Sequence, residues 1–262
     1  MRQYLRIYLS YMKLNLASLF VYRSNFVWDI IASLNWGIFH VVTMFLLTNN
    51  TQEIYGWKRH ELLVLTGVFN VVIGFYHFVV SPNLHRIPQI IHFGQLDLLM
   101  VKPVDTQFQL SFRIVNYSAL SRMIAGFIFI LYLIQTYHIA IPPLAFVYFS
   151  LLSLVGLIVL YSIWYLVITI TVWHSNLSNI TDILYDLGGM TRFPKEMYRQ
   201  LGDYALLLLL PLILIMSAPT KLLLQRPDWQ EIAVILFFAP FLFIISRKFW
   251  FFALRYYTSA SS

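Results

Sequence analysis

Residues 144–173 form the longest apolar run of the chain, and none of them carries a charge. About 20 residues rising ~1.5 Å each cross the ~30 Å hydrocarbon core of a bilayer, so a run of this length specifies a spanning helix. Residues 26–47, 62–80, 114–137 and 232–252 read the same way. Lipid offers the backbone no hydrogen-bond partner, so an all-α, polytopic helical bundle is the expected fold. Composition agrees: with 60% hydrophobic and 11% charged residues, the 262-residue chain has too little polar surface to cover a soluble globule.

Polar residues interrupt this pattern most strongly at 81–113. Pro82 and Pro88 lack the backbone donor that a continuous helix needs, so a fresh short helix is expected to start near Pro88. Gly94 suits its end, and a second short piece over 95–101 stops at Pro103. The result is a bent element with Ile87, Ile90, Ile91, Leu98 and Leu99 free to grip a partner. His85, Arg86, His92, Asp97 and Lys102 remain for water or that partner. The same apolar content would also suit a loop lying on the bilayer surface.

The run HFGQLDLLMVKPV, with Gly94, Leu96, Asp97, Leu99, Lys102, Pro103 and Val104, resembles the cytosolic loop of type-2 ATP-binding-cassette permeases, in particular their small six-helix branch. A later run, RFPKEMYRQLGDYALLLLLPLILIMSAPTKLLL, is similar to that family's segment before the last helix at Phe193, Pro194, Tyr198, Pro211 and Pro219; Ala218 departs from the bulky aromatic usual there. The resemblance implies one permease domain over 1–262 with about six transmembrane helices, an N-terminal interfacial helix at 1–25 and a cytosolic coupling loop at 81–113 between the second and third. It further implies an outer re-entrant segment at 192–224. Ile87, Ile91, Gly94, Leu96, Asp97, Leu98, Lys102 and Pro103 would dock a separate ATP-binding-cassette ATPase, which would hold the ATP and magnesium. The chain itself would carry no cofactor and would pair with a second permease, identical or related, in an exporter of the bacterial-type inner membrane.

Charge placement supplies the orientation. Arg2, Arg6 and Lys13 form one stripe beside Leu5, Leu9, Met12 and Leu16, as suits a helix on an anionic leaflet. With Arg23, Arg86, Lys102, Arg113, Arg247, Lys248 and Arg255 on the same side, both termini and the loop are expected to be cytosolic. The net charge of +7 thus reads as membrane topology rather than nucleic-acid binding. No removable signal peptide is visible at the N-terminus.

Residues 174–202 are ambiguous. Hydropathy alone reads a cytosolic loop followed by a span at 204–224. The resemblance implies instead a polar fifth helix at 176–190, with an outer pair broken at Pro211 and Pro219. Arg122, Asn176, Asp182 and Asp186 are the candidates for lining a pathway. Arg122, inside an apolar span, is expected to bind an anionic lipid-like substrate, to pair with Asp182 or Asp186, or to snorkel to the headgroups.

Catalytic motifs are absent. There is no G-x-x-x-x-G-K-[ST] phosphate loop, no H-E-x-x-H pair, no G-x-S-x-G elbow and no Cys. His85 and His92 are seven apart, but Pro88 and Gly94 spoil the continuous helix that a shared metal or catalytic site there would require. Two alternatives to the permease stand: a membrane-embedded lipid-modifying enzyme using His85, His92 and Asp97, or Arg122 with His77, and an ion-coupled carrier using Arg122, Asp182 and Asp186.

Overall fold

The computed structural model describes residues 2–174, 177, 179–201 and 203–258. Helix α1 (Arg2–Val21) is separated from α2 (Arg23–Leu47) by a break at Tyr22. A two-residue hairpin follows, β1 (Glu53–Ile54) and β2 (Trp57–Lys58), turning through Tyr55 at φ 51° and Gly56 at φ 82°. Helix α3 (Arg59–Val79) returns across the bundle, and four short helices fill the polar interruption: α4 (Ser81–Leu84), α5 (Ile87–His92), α6 (Leu96–Met100) and α7 (Thr106–Phe112). Then come α8 (Ala119–Thr136), α9 (Pro143–Thr169), α10 (Ile180–Met190), α11 (Asp203–Leu223) and α12 (Trp229–Leu254).

Five of these helices, α2, α3, α8, α9 with its 3-10 extension, and α12, are long and apolar enough to cross a membrane. The crossing anticipated at 176–190 is shorter than that reading. Helix α10 has 11 residues, roughly 16 Å at 1.5 Å each, which is about half of the hydrocarbon thickness. The start of the following 3-10 segment, Lys195–Leu201, and the end of α11 meet in one ion-paired network through Lys195, Glu196 and Lys221, so this stretch leaves and returns to the same end of the bundle. Helix α11 is not broken at Pro211 or Pro219, as the sequence suggested; both lie within it. Each proline removes one backbone bond, but residues 211–221 are buried, and Gly156 of α9 admits Ile215 so closely that a Cβ there would lie 2.9 Å from its Cγ2.

Helix α8 starts five residues later than hydropathy suggests. Asn116 accepts from the Ser118 N–H at 3.2 Å, a local bond that competes with helix, while its own N–H donates to Phe78 O at 2.9 Å.

Helix α3 is the most buried spanning helix, whereas α2 and α12 are exposed along most of their length. Its closest partner is α8, and small residues set the approach. A Cβ on Gly74 would lie 2.9 Å from the Met123 backbone nitrogen, and one on Gly126 would lie 3.1 Å from both Gly67 O and Val71 N. With no hydrophobic force between helices in lipid, such close backbone contact is what dispersion needs to hold the pair.

The two ends of the bundle differ in charge. At the hairpin end Lys58 is exposed, but three other cations are paired: Arg226 meets Glu61 at 2.9 Å, Lys221 meets Glu231 at 2.6 Å and Glu196 at 3.0 Å, and Lys195 meets Glu231 at 2.6 Å. Trp57 is buried beneath this network. Its Nε1 donates to Glu196 at 3.0 Å, and the Arg226 guanidinium stacks over its ring at 4.4 Å. At the opposite end α1 packs along α7 through Tyr4 on Phe108 and Tyr8 on Phe112, and Arg247 of α12 reaches Asp105 at 2.7 Å. Both chain ends therefore share one end of the molecule with the polar interruption.

Two outcomes follow. Gly126→Ala should lower the melting free energy of the detergent-solubilised protein by ~1–3 kcal/mol, because the new methyl meets backbone that cannot yield, while Gly189→Ala, with nothing within 4 Å, should be neutral. Equal melting behaviour would refute the contact. Burial disfavours ionised Asp228, yet the Glu231 N–H bond and the Lys195 and Lys221 charges hold its pKa below the usual value. Its stabilisation is thus complete above the unfolded carboxylate range near ~4 and is lost as pH falls through the lower folded value. The melting temperature should fall less steeply from about pH 5 to about pH 3 in Asp228→Asn than in the parent.

Candidate functional site

Two features lie at the end of the bundle opposite the hairpin: a bent elbow over 81–112 and a cavity beside it. The elbow is tied at both ends by one residue. Asn83 donates to Val79 O at 2.8 Å and to Ile114 O at 2.7 Å, and its Oδ1 accepts from the Ile114 N–H at 2.7 Å. Gly94, at φ 66°, ends α5 in the left-handed region that glycine enters without strain. Asp105 caps α7, accepting from Phe108 N at 2.9 Å, and also receives Arg247. Gln107 donates to the Tyr161 hydroxyl of α9 at 3.0 Å, Ser111 bonds the same hydroxyl at 2.8 Å, and Trp250 Nε1 donates to Thr106 at 3.1 Å. The elbow is thus fixed to α3, α9 and α12.

That anchoring divides the residues singled out for docking. Ile87, Ile91 and Leu96 are buried in the protein's own core, as is Leu99, and so cannot grip a partner as the sequence suggested. They fold the elbow instead. Leu98 is 70% exposed, beside Phe93 at 68% and Val101 at 85%, with Met100 also exposed. Lys102 and Pro103 are exposed, while Gly94 and Asp97 are half-buried. Asp97 lies near Tyr257, beyond α12, and burial together with that carboxylate raises the pKa of the phenol. Sequence could not separate these faces, because two five- to six-residue helices are too short to show a periodic stripe.

The cavity has a volume of about 900 Å³ and is walled by α2, α3, α8, α9 and α10. Its lining runs from Pro82 and Asn116 to His40, Trp164 and Phe193. Arg122 stands within it and is only 6% exposed, so it does not snorkel. Its Nε donates to Asn70 Oδ1 at 2.8 Å, Nη2 lies 3.3 Å from His40 Nδ1, and the guanidinium sits 5.4 Å from the Phe69 ring centre. Pairing with Asp182 or Asp186 is not made: among the described residues no carboxylate lies within 4.0 Å of it. Asp186 lines the cavity, whereas Asp182 is exposed outside it. Asn176 lies outside the described residues. Sequence reasoning missed Asn70 as the partner that holds Arg122, although an Asn between Gly67 and Gly74 in an apolar span signals a polar contact at a close crossing.

The proposed His pair is not assembled. His85 stacks on Tyr185 at 4.4 Å, and His92 packs beside Phe93. Among the described residues no group of three or more metal-ligating side chains is placed to hold a metal ion.

No curated protein matches the chain. The sequence profile described as ABC-2 family transporter protein matches residues 34–261, a range that takes in the elbow, the cavity lining apart from Asp29, Ala32 and Ser33, and every spanning helix except the start of α2. A buried bundle of apolar helices with that match over most of its length is a multi-pass membrane protein, and the chain belongs to the ABC-2 type transporter permease family.

Proposed function

We propose that this permease is the membrane half of an ATP-driven exporter, which works with a second permease, identical or related, and docks a separate ATP-binding-cassette ATPase on its elbow. ATP and magnesium belong to that ATPase. The observation that carries this reading is the apolar tip of Phe93, Leu98, Met100 and Val101, exposed on a segment that the protein otherwise fixes by buried contacts. An exposed apolar cluster on a rigid support suits insertion into a partner's cleft. The long exposed face of α2, including Trp28 and Trp36, suits contact with the second permease or with lipid.

The elbow end is assigned to the cytosol of a bacterial-type inner membrane, with both termini on that side and α1 lying along the leaflet. Lys102, Lys248 and Arg255 are exposed there, whereas Lys195, Lys221 and Arg226 at the hairpin end are held by acids. Export is the direction that the family resemblance implies. A cavity reaching the elbow end is the arrangement that would admit cargo from the cytosol.

The test is co-purification of the ATPase with the tagged chain. Leu98→Asp with Val101→Asp alters exposed positions, so the permease should keep its elution profile and melting temperature. Recovery of the ATPase should fall about tenfold or more, since an unpaired carboxylate buried in an apolar contact costs more than the ~1.4 kcal/mol that such a change requires. Undiminished recovery would rule out docking through the tip.

A further inference from the structure

We propose that the cavity is a binding site for an amphipathic anion of drug or single-acyl-chain size, its charged group held by Arg122 and Arg192 and its apolar body against the aromatic wall. The inference builds on the permease reading by naming the class of cargo.

Arg122 carries the argument. A guanidinium that is 94% buried costs several kcal/mol in lost hydration unless an anion compensates it. Here its partners are a neutral amide oxygen and a ring nitrogen of His40, and among the described residues no carboxylate lies within 4.0 Å. Asn70 and His40 do not neutralise the charge; they orient it. A second cation lines the same cavity. Arg192 is half-buried, its Nε is buried with no hydrogen-bond partner, and its guanidinium lies 4.8 Å from the Phe193 ring centre. Both guanidiniums lie within electrostatic reach of the His40 ring.

Two acids, Asp29 and Asp186, line the cavity as well. Their side chains are exposed, so water screens them, and neither approaches the two arginines within ion-pair distance. The uncompensated charge in the desolvated part is therefore positive. Around it stand Trp36, Phe69, Ile73, Tyr76, Trp164 and Phe193, surfaces for an apolar body rather than for a hydrated inorganic ion. A volume of about 900 Å³ falls within the range of small-molecule sites.

The test uses the full-length permease in an uncharged detergent, with radiolabelled palmitate as the probe in a scintillation proximity assay. Saturable binding should be displaced by unlabelled palmitate but not by methyl palmitate or inorganic phosphate. Arg122→Gln should weaken it by about 10- to 100-fold, as expected for losing charge-assisted hydrogen bonds, with a smaller loss in Arg122→Lys. Displacement by the ester as strong as by the acid, displacement by phosphate, or unaltered affinity in Arg122→Gln would each overturn the proposal. Should Arg122→Gln fail to give a monodisperse peak, Arg192→Gln decides: reduced affinity supports the site and parental affinity refutes it. The assay needs no ATPase, so loss of palmitate binding with the ATPase still co-purifying would defeat this inference alone. Binding without any ATPase would leave it standing while the exporter reading fell.

Discussion

The crossing of α3 on α8 is the contact on which the rest of the bundle is built. Glycines on both helices bring backbone against backbone, at Gly67 and Gly126 and again at Gly74 against Met123. Water cannot drive such a contact inside a bilayer, since lipid tails are as apolar as leucine, so close approach and its dispersion must hold it. The same closeness puts Asn70 of α3 within 2.8 Å of Arg122 of α8 and within 3.3 Å of Gly37 O on α2, which its amide reaches as donor. One asparagine thus links three helices at the depth where the cavity holds its charge. Packing and polarity are not separate features here, because the amide could not span these distances if the glycines carried side chains.

The elbow follows a second constraint, that a polar interruption of apolar helices must satisfy its own backbone and hide its own apolar side chains. Asn83 closes the interruption on itself, and Ile87, Ile91, Leu96 and Leu99 complete the core of α3 and α9. What remains outside, Phe93, Leu98 and Val101, is exposed because every inward position is already taken. Burial of half of the apolar content is therefore what makes the other half a defined surface rather than a greasy loop free to lie on lipid.

Much of this was legible in the sequence, and the limits have physical causes. Long apolar runs marked where helices cross, because the hydrocarbon thickness leaves little freedom. Pro88, Gly94 and Pro103 marked the two short helices to within a residue or so. Which side of those helices faces inward was not legible, since five or six residues complete fewer than two turns. Arg122 was recognised as unusual, but its depth could not be told from one chain position, because snorkelling depends on which neighbours surround the stem. The passage from 174 to 225 defeated hydropathy for another reason. Helix α10 is too short to span, and Lys195, Glu196, Lys221 and Glu231, which look like loop residues, neutralise one another in a partly buried network. Charges that pair through tertiary contact carry no periodic signal.

The elbow and the cavity share a wall, and this gives the arrangement its mechanical sense. Tyr161, which accepts from Gln107 and bonds Ser111, lies one turn from Trp164 on α9, and Trp164 lines the cavity. His85, in the turn between α4 and α5, stacks on Tyr185 of α10 and packs against Trp164 at 5.5 Å, so the elbow touches both helices that flank the cavity on that side. Close-packed side chains of this kind do not deform smoothly; they hold one arrangement or exchange it for another. Any displacement of α5 and α6 toward the bundle must therefore move Trp164 and Tyr185, or break the stack between them. The hairpin end resists the same displacement, since Lys221, Glu196 and Trp57 hold α11 to the hairpin. A push at one end is thus met by an ionic clamp at the other, with the cavity lying between them.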